Sequence, residues 1–333
     1  MNSTQSTANW CATMASHHHL LDTDSDYSAA RDRIEESFSR WHSESHAKRE
    51  ELVTIPVVVH VVWKEDEENI SDEQIHSQIE VLNQDYRKKN PDVEEIPEAF
   101  RPIAADANIE FALATEDPDG EQTDGIVRVE TEAESFDSDD AVKSSDSGGS
   151  DAWPSDKYLN VWVCKLRGGL LGYAQFPGGP AATDGVVVTY TAYGATGTAK
   201  APFNLGRTTV HEIGHWLNLR HIWGDDGEAC EGTDYVDDTP NQGGPNSGCP
   251  TFPHVTCDNG PDGDLFVNYM DYSDDKCTAM FTEGQVERMD ACLAEERKSF
   301  LGNAGGGEGD GGGEDEGSWW SRLLQMIRRI LGL

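Results

Sequence analysis

His211-Glu212-Ile213-Gly214-His215-Trp216-Leu217-Asn218-Leu219-Arg220-His221 is the stretch on which the reading of this chain turns. On a helix, residues four apart share a face, so the imidazoles of His211 and His215 can meet at one ion. Glu212 stands one step round, close enough to take a proton from a water at that ion without ligating it. This is the constellation of a zinc hydrolase. His221 lies six residues past His215, too far to share the face unless the chain turns back. Asn218 is the residue that can turn it, since asparagine tolerates the left-handed conformation that closes helices. A helix stopping at Asn218 brings His221 round as third ligand and leaves a fourth position open, as a catalytic zinc requires. Upstream, residues 202–209 supply a turn and a helix N-cap. The five-residue pattern alone arises by chance in roughly one in a hundred chains of this length, and the third histidine makes coincidence far rarer.

The chain has 333 residues, room for one substantial catalytic core with accessory segments. Asp and Glu outnumber Lys and Arg 62 to 25, a formal charge of −37, which repels nucleic acid and excludes it as a partner. The acid is spread along the whole length. A lysine-poor acidic surface suits a protein kept soluble in concentrated salt, so the composition reads as halophilic; Ca²⁺ binding by some carboxylates is an alternative that is compatible with it. No CxxC pair occurs among the seven cysteines, which argues against a zinc knuckle. Cys230, Cys249, Cys257 and Cys277 crowd a Gly-, Pro- and Asp-rich region with little apolar content. Such a region needs disulfides to hold its shape, which favours an extracellular or cell-surface location. Residues 1–21 nevertheless show no signal peptide, and the longest apolar run, 55–63, is too short to span a bilayer.

Residues 1 to about 50 are polar and charged. A helix is predicted over 27–41, with Ala29, Ile34, Phe38 and Trp41 on one side, and His17-His18-His19 read as solvated histidines in a mobile stretch. The folded core begins at 52–63, a β-branched run typical of a strand buried on both faces. Ser71-Asp72-Glu73-Gln74 forms a capping box for a helix lined by Ile75, Ile79 and Leu82. Strands follow at 109–114, 126–130, 158–165 and 185–190, with a Ser/Asp/Gly-rich loop at 134–151. Residues 168–176 read either as a plain hairpin arm or as a glycine-loosened edge strand. In the second case Leu171, Gly172 and Tyr173 would take up an extended peptide by strand addition.

With Asn268-Tyr269-Met270-Asp271-Tyr272-Ser273-Asp274-Asp275, then Cys277 and Met280-Phe281-Thr282, the histidine stretch resembles the pappalysin (cytophagalysin) family of metzincin metalloendopeptidases. The resemblance runs from about residue 50 to 300. It implies an α+β fold: a twisted mixed five-stranded sheet with a backing helix and an active-site helix, then an irregular disulfide-bonded subdomain. It also implies His211, His215 and His221 as zinc ligands, Glu212 as general base, Met270 as the floor of the site, and Tyr272 as a phenol stabilising the oxyanion. The same likeness pairs Cys230 with Cys257 and Cys249 with Cys277. Residues 230–240 resemble the family's calcium loop, with Asp234, Asp237 and Thr239 as Ca²⁺ ligands; a merely solvated acidic loop is the alternative. Cys11 resembles the cysteine of a latency pro-segment, a thiolate in the open zinc position, against the alternative of a free thiol without function. Ala12 stands where the family has glycine, and Asn218 where metzincins have one.

The expected organisation is a pro-segment at 1–51, a catalytic domain at 52–302, a Gly/acid linker at 303–317 and a cationic amphipathic helix at 318–333. That last helix carries Trp319, Trp320, Arg322, Arg328 and Arg329 and suits an anionic lipid surface, or else docking on a protein. The functional expectation is a zinc-dependent endopeptidase acting on proteins or peptides. A catalytically silent peptide- or membrane-binding module and a zinc hydrolase of other substrates are the competing classes, and Glu212 speaks against the first.

Overall fold

The computed structural model describes residues 10–302, except 45, 47, 48 and 228. The linker and amphipathic helix expected at 303–333 lie outside the described residues. Two helices come first, α1 (Thr13–Thr23) and α2 (Ser25–Ser43). Neither expectation for this region holds fully. His17 is buried, its Nδ1 2.8 Å from the Tyr27 hydroxyl, because α1 packs it inward; His18 and His19 alone face water. The inner face of α2 is Tyr27, Ala30, Arg31 and Ile34 rather than the all-apolar set, with Ala29 exposed. A buried arginine does not register in an apolar periodicity.

β1 (Val53–Trp63) is the spine of the sheet. Its β-branched run fits because both faces are covered. α3 (Asp72–Asp85), β2 (Ala104–Ala105), β3 (Ile109–Leu113), β4 (Ile126–Glu130), β5 (Leu159–Cys164), β6 (Gly172–Ala174) and β7 (Val186–Thr189) follow. The order is β3-β1-β5-β7-β6, with β4 also paired to β1. β3 pairs with residues 53–57 of β1 and β4 with residues 59–63, end to end on one side. Six strands therefore fill five positions. β6 alone runs antiparallel, at the edge beside β7. Pro56 lacks an N–H but precedes the pairing with β5, which starts at Val57.

Val57, Val59, Val61, Val161, Val163, Val186 and Val188 pack on one side of the sheet with Ile75 and Leu82 of α3. Val62, Trp162, Cys164, Tyr173 and Val187 pack on the other, under Phe136 and Val142 of the polar loop. Ser71 caps α3 by accepting from Gln74 N–H, but the capping box is not closed. The Gln74 amide instead donates to the carbonyls of Tyr190 (3.2 Å) and Tyr193 (2.8 Å). Gln78 likewise donates to Gly206 O and accepts from Gly194 N–H and Thr209. Two buried glutamines thus hold the loop that delivers α4 (Arg207–Trp216) to the sheet.

After α4 the chain is irregular until β8 (Phe281–Thr282), which pairs with β2, and α5 (Glu283–Glu295). Disulfides join Cys230 to Cys257 and Cys249 to Cys277; Cys164 and Cys292 are buried free thiols. The interior here is polar. Asp271 accepts from Gln242 and Asn246, and Asp264 from Thr256 and Asn259.

Candidate active site

α4 is buried along its whole length. No side chain within 202–209 caps it: Gly206 is the N-cap, at φ +79°. The Asp275 carboxylate, from a distant segment, accepts from Leu205 N–H (2.7 Å) and Arg207 N–H (3.4 Å) in its place. Arg207 in turn is held by Asp85 and Asp92. The helix stops at Trp216, two residues short of Asn218, which adopts φ +73°. Leu219 N–H bonds to Gly214 O and Asn218 N–H to His215 O, both at 2.9 Å, a Schellman closure that swings His221 back.

The three imidazoles meet. Nε2 of His215 is 3.1 Å from Nε2 of both His211 and His221, and the remaining pair is 3.3 Å apart. Each Nδ1 has an acceptor: Tyr269 O (2.7 Å), Leu219 O (2.8 Å) and Asp225 Oδ1 (2.7 Å) for His211, His215 and His221. With the proton held on Nδ1, three Nε2 lone pairs face one another, which only a cation makes favourable. Nitrogens about 2.0–2.1 Å from a tetrahedral zinc stand roughly 3.3 Å apart, so the spacing fits the ion. Burial pushes the His211 imidazole down to about 3, which keeps the ring neutral for a metal. The sulfur of Cys11 completes the group; among the described residues these four donor atoms lie within 4.8 Å of one another.

Glu212 is buried beside them, and desolvation raises its carboxyl to about 8. It accepts from the Thr13 hydroxyl (3.0 Å), and Cys11 Sγ is 3.5 Å away. The Tyr272 hydroxyl donates to Cys11 O at 3.4 Å, its ring standing 5.1 Å from that of His221 and 4.8 Å from that of Trp223. Met270 lies beneath Gly214, where any added carbon would overlap its sulfur.

Residues 168–176 do contain an edge strand, and its edge is in use. Leu171 and Gly172 N–H donate to Trp10 O (2.8 and 3.2 Å), and Ala12 N–H donates to Gly172 O (3.1 Å). The N-terminal segment runs parallel to β6 at this point. The Tyr173 side chain is packed on the far face of the sheet and its main chain pairs with Val187 of β7, so the next outward group at this edge is Ala174 N–H. A methyl group on Gly172 would come 2.9 Å from Glu212, so the strand needs glycine where it passes the carboxylate. The residues expected to bind calcium are not all together. Asp234 is buried and accepts from Thr239 (2.8 Å) and Val236 N–H, whereas the side chain of Asp237 is 93% exposed beside His42.

A family model described as pregnancy-associated plasma protein-A matches residues 143–294. An extracellular metalloprotease of Pyricularia oryzae is 35% identical over 260 residues, 75% of this chain and 78% of that protein. The chain belongs to the pappalysin family. Another extracellular metalloprotease, from Arthroderma gypseum, is 31% identical over 79% of this chain and 80% of its own. Tannerella forsythia mature mirolysin, solved with a cleaved peptide, is 51% identical at a TM-score of 0.74, covering 76% of this chain and 96% of that one. A promirolysin mutant of the same organism reaches a TM-score of 0.80 at 46% identity, over 87% and 96%. As a family member, this chain is a zinc-dependent metalloendopeptidase with the metzincin fold. Its relatives' names and its two disulfides both fit a place outside the cell.

Sequence reasoning missed Thr13, Asp225 and an ionic clasp on α2. There, Glu35 takes two bonds from Arg288 (2.7 and 2.8 Å) and one from Arg31 (2.8 Å), with Arg220 3.7 Å away. Arg31 also donates to the Asn218 side chain (2.7 Å). Asp225 offered a signal, an acid four residues after a ligand histidine. The clasp offered only its i,i+4 pair, Arg31 and Glu35, since Arg288 lies 253 residues from Glu35 in the chain.

Proposed function

We propose that His211, His215 and His221 hold the zinc and that Glu212 is the general base of an endopeptidase kept latent by residues 1–51. The observation behind this reading is that three histidine nitrogens, one buried carboxylate and one thiol converge on a single point. When bound, zinc polarises the peptide carbonyl and acidifies the attacking water. Glu212 takes the water's proton and returns it to the departing nitrogen. Its desolvated surroundings raise its proton affinity, which suits a group that must briefly hold that proton. Burial also keeps the Tyr272 phenol protonated, so it can donate to the oxygen that gains charge. Met270 supports the helix from below. Once the N-terminal segment has left, the backbone groups of Leu171 and Gly172 align an extended protein or peptide substrate, while Tyr173 anchors the strand from behind. Cys11 occupies the open coordination position until then.

The test is peptide hydrolysis by the processed protein beside Glu212→Ala. Equal activity would remove this mechanism and favour a silent binding module.

Two further assignments belong to the same reading. Calcium is placed at residues 230–240, supported by the buried Asp234 carboxylate, which accepts from the Thr239 hydroxyl and Val236 N–H. Residues 318–333 are assigned to an anionic membrane surface and nucleic acid is excluded as a partner, both on charge pattern.

A further inference from the structure

The hydroxyl of Thr13 sits between two groups that each fix its role. Thr13 is 0% exposed. Ala174 N–H, which can only donate, points at Thr13 Oγ1 from 2.8 Å. The hydroxyl proton is therefore free to go to Glu212 Oε2, 3.0 Å away on the other side. Cys11 is farther from that oxygen, at 3.5 Å. Its own sulfur accepts from Thr13 N–H at 3.4 Å, so the two residues reach the site as one unit.

We propose that Thr13 is a second inhibitory group of the N-terminal segment, acting on Glu212 rather than on the metal site. The inference rests on Glu212 being the general base. Oε2 is the carboxylate oxygen that faces the Cys11 sulfur, and while it accepts from a buried hydroxyl it is less basic and less open to a water on that side. Latency then has two separate holds two residues apart: a thiol on the ligands and a hydroxyl on the base. Releasing the thiol alone, by alkylation or exchange, leaves Glu212 occupied. The ligand class this part of the cleft accepts is accordingly an extended peptide bearing a thiol and, two residues on, a hydroxyl, laid parallel to β6.

The experiment uses the full-length chain, with initial peptidase rates taken before any cleavage of the chain, as checked by mass. Cys11→Ala is expected to remain repressed. Cys11→Ala with Thr13→Val is expected to be about tenfold to a hundredfold faster, the range of one charge-assisted hydrogen bond. Cys11→Ala with Thr13→Ser keeps a hydroxyl and should stay close to Cys11→Ala. If the valine and serine double variants run at one rate, or if Cys11→Ala already matches the processed enzyme, the proposal is overturned.

A second readout needs no activity. In metal-stripped protein, Thr13→Val should speed amide exchange at Ala174 about tenfold or more relative to Thr13→Ser, with Val163 in the sheet unchanged. Equal exchange at Ala174 would also overturn it. Inactive processed wild type would count against the protease reading, whereas these exchange rates judge Thr13 on their own.

Discussion

The sulfur of Met270 fills the space under Gly214, the residue that precedes His215 on α4. Alanine at 214 would improve helix propensity by about 1 kcal/mol, while overpacking against a buried sulfur costs about 1–3 kcal/mol. The clash wins. Gly214→Ala should lower the melting temperature and loosen the bound zinc, as read by calorimetry and metal content. An unchanged or higher melting temperature would show that Met270 yields freely.

Asp225 is the one carboxylate among the three acceptors behind the histidines. That carboxylate fixes the orientation of His221 through its Nδ1. Asp225→Asn should weaken zinc affinity about tenfold to a hundredfold with the fold intact. Competition with a chelator measures this directly; unaltered affinity would reduce Asp225 to a surface contact.

Glu35 is the counter-ion shared by Arg288, Arg31 and Arg220. Arg288 and Asn218 join the clasp to the end of the active-site helix, since Arg288 Nε donates to Asn218 O (2.6 Å). Breaking a buried pair by removing one charge costs about 3–5 kcal/mol, and the partial exposure of Glu35 brings this towards the lower end. On the proposed latency, Glu35→Gln should release the N-terminal helices and speed self-processing at least tenfold. A time course on gels decides it.

His60 is wholly buried, bonded to Ser150 and Asn160 and stacked on Trp162, and burial lowers its imidazole from 6.5 to about 4. The unfolded chain therefore binds more protons than the native one between these values. Stability is full above about pH 6.5 and is lost as pH falls towards about 4, by up to roughly 3 kcal/mol. His60→Gln should flatten this acid limb in urea titrations across that window. An identical slope would assign the acid loss to other groups.

If residues 230–240 hold calcium, chelation should lower the melting temperature of the wild type and leave Asp234→Asn unaffected. Parallel drops in both would place the ion elsewhere.

The zinc helix, its Asn218 turn and the strands were legible because each is written within a dozen residues. β1 announces itself by its β-branched run, and the histidines by a spacing that few other folds use. What escaped depends on partners far apart in the chain. Asp275 caps a helix 68 residues before it, and Gln74 leaves its own cap to hold a loop more than 110 residues on. Arg31 on the inner face of α2 looks like a break in an apolar stripe until Asn218 and Pro177 O are seen opposite. The sheet's width of five positions came from the family resemblance, and the sixth strand escaped because the end-to-end placing of β3 and β4 along β1 is a matter of register.

Because Trp10, Ala12 and Thr13 satisfy the outer rim of β6, the newly made protein presents no free backbone ladder at that border. The same few residues proposed to silence the enzyme thus guard it against joining sheet-to-sheet with its neighbours while it is concentrated and still folding. Maturation exchanges that protection for the ability to grip a chain, so sticky behaviour should begin where proteolysis begins.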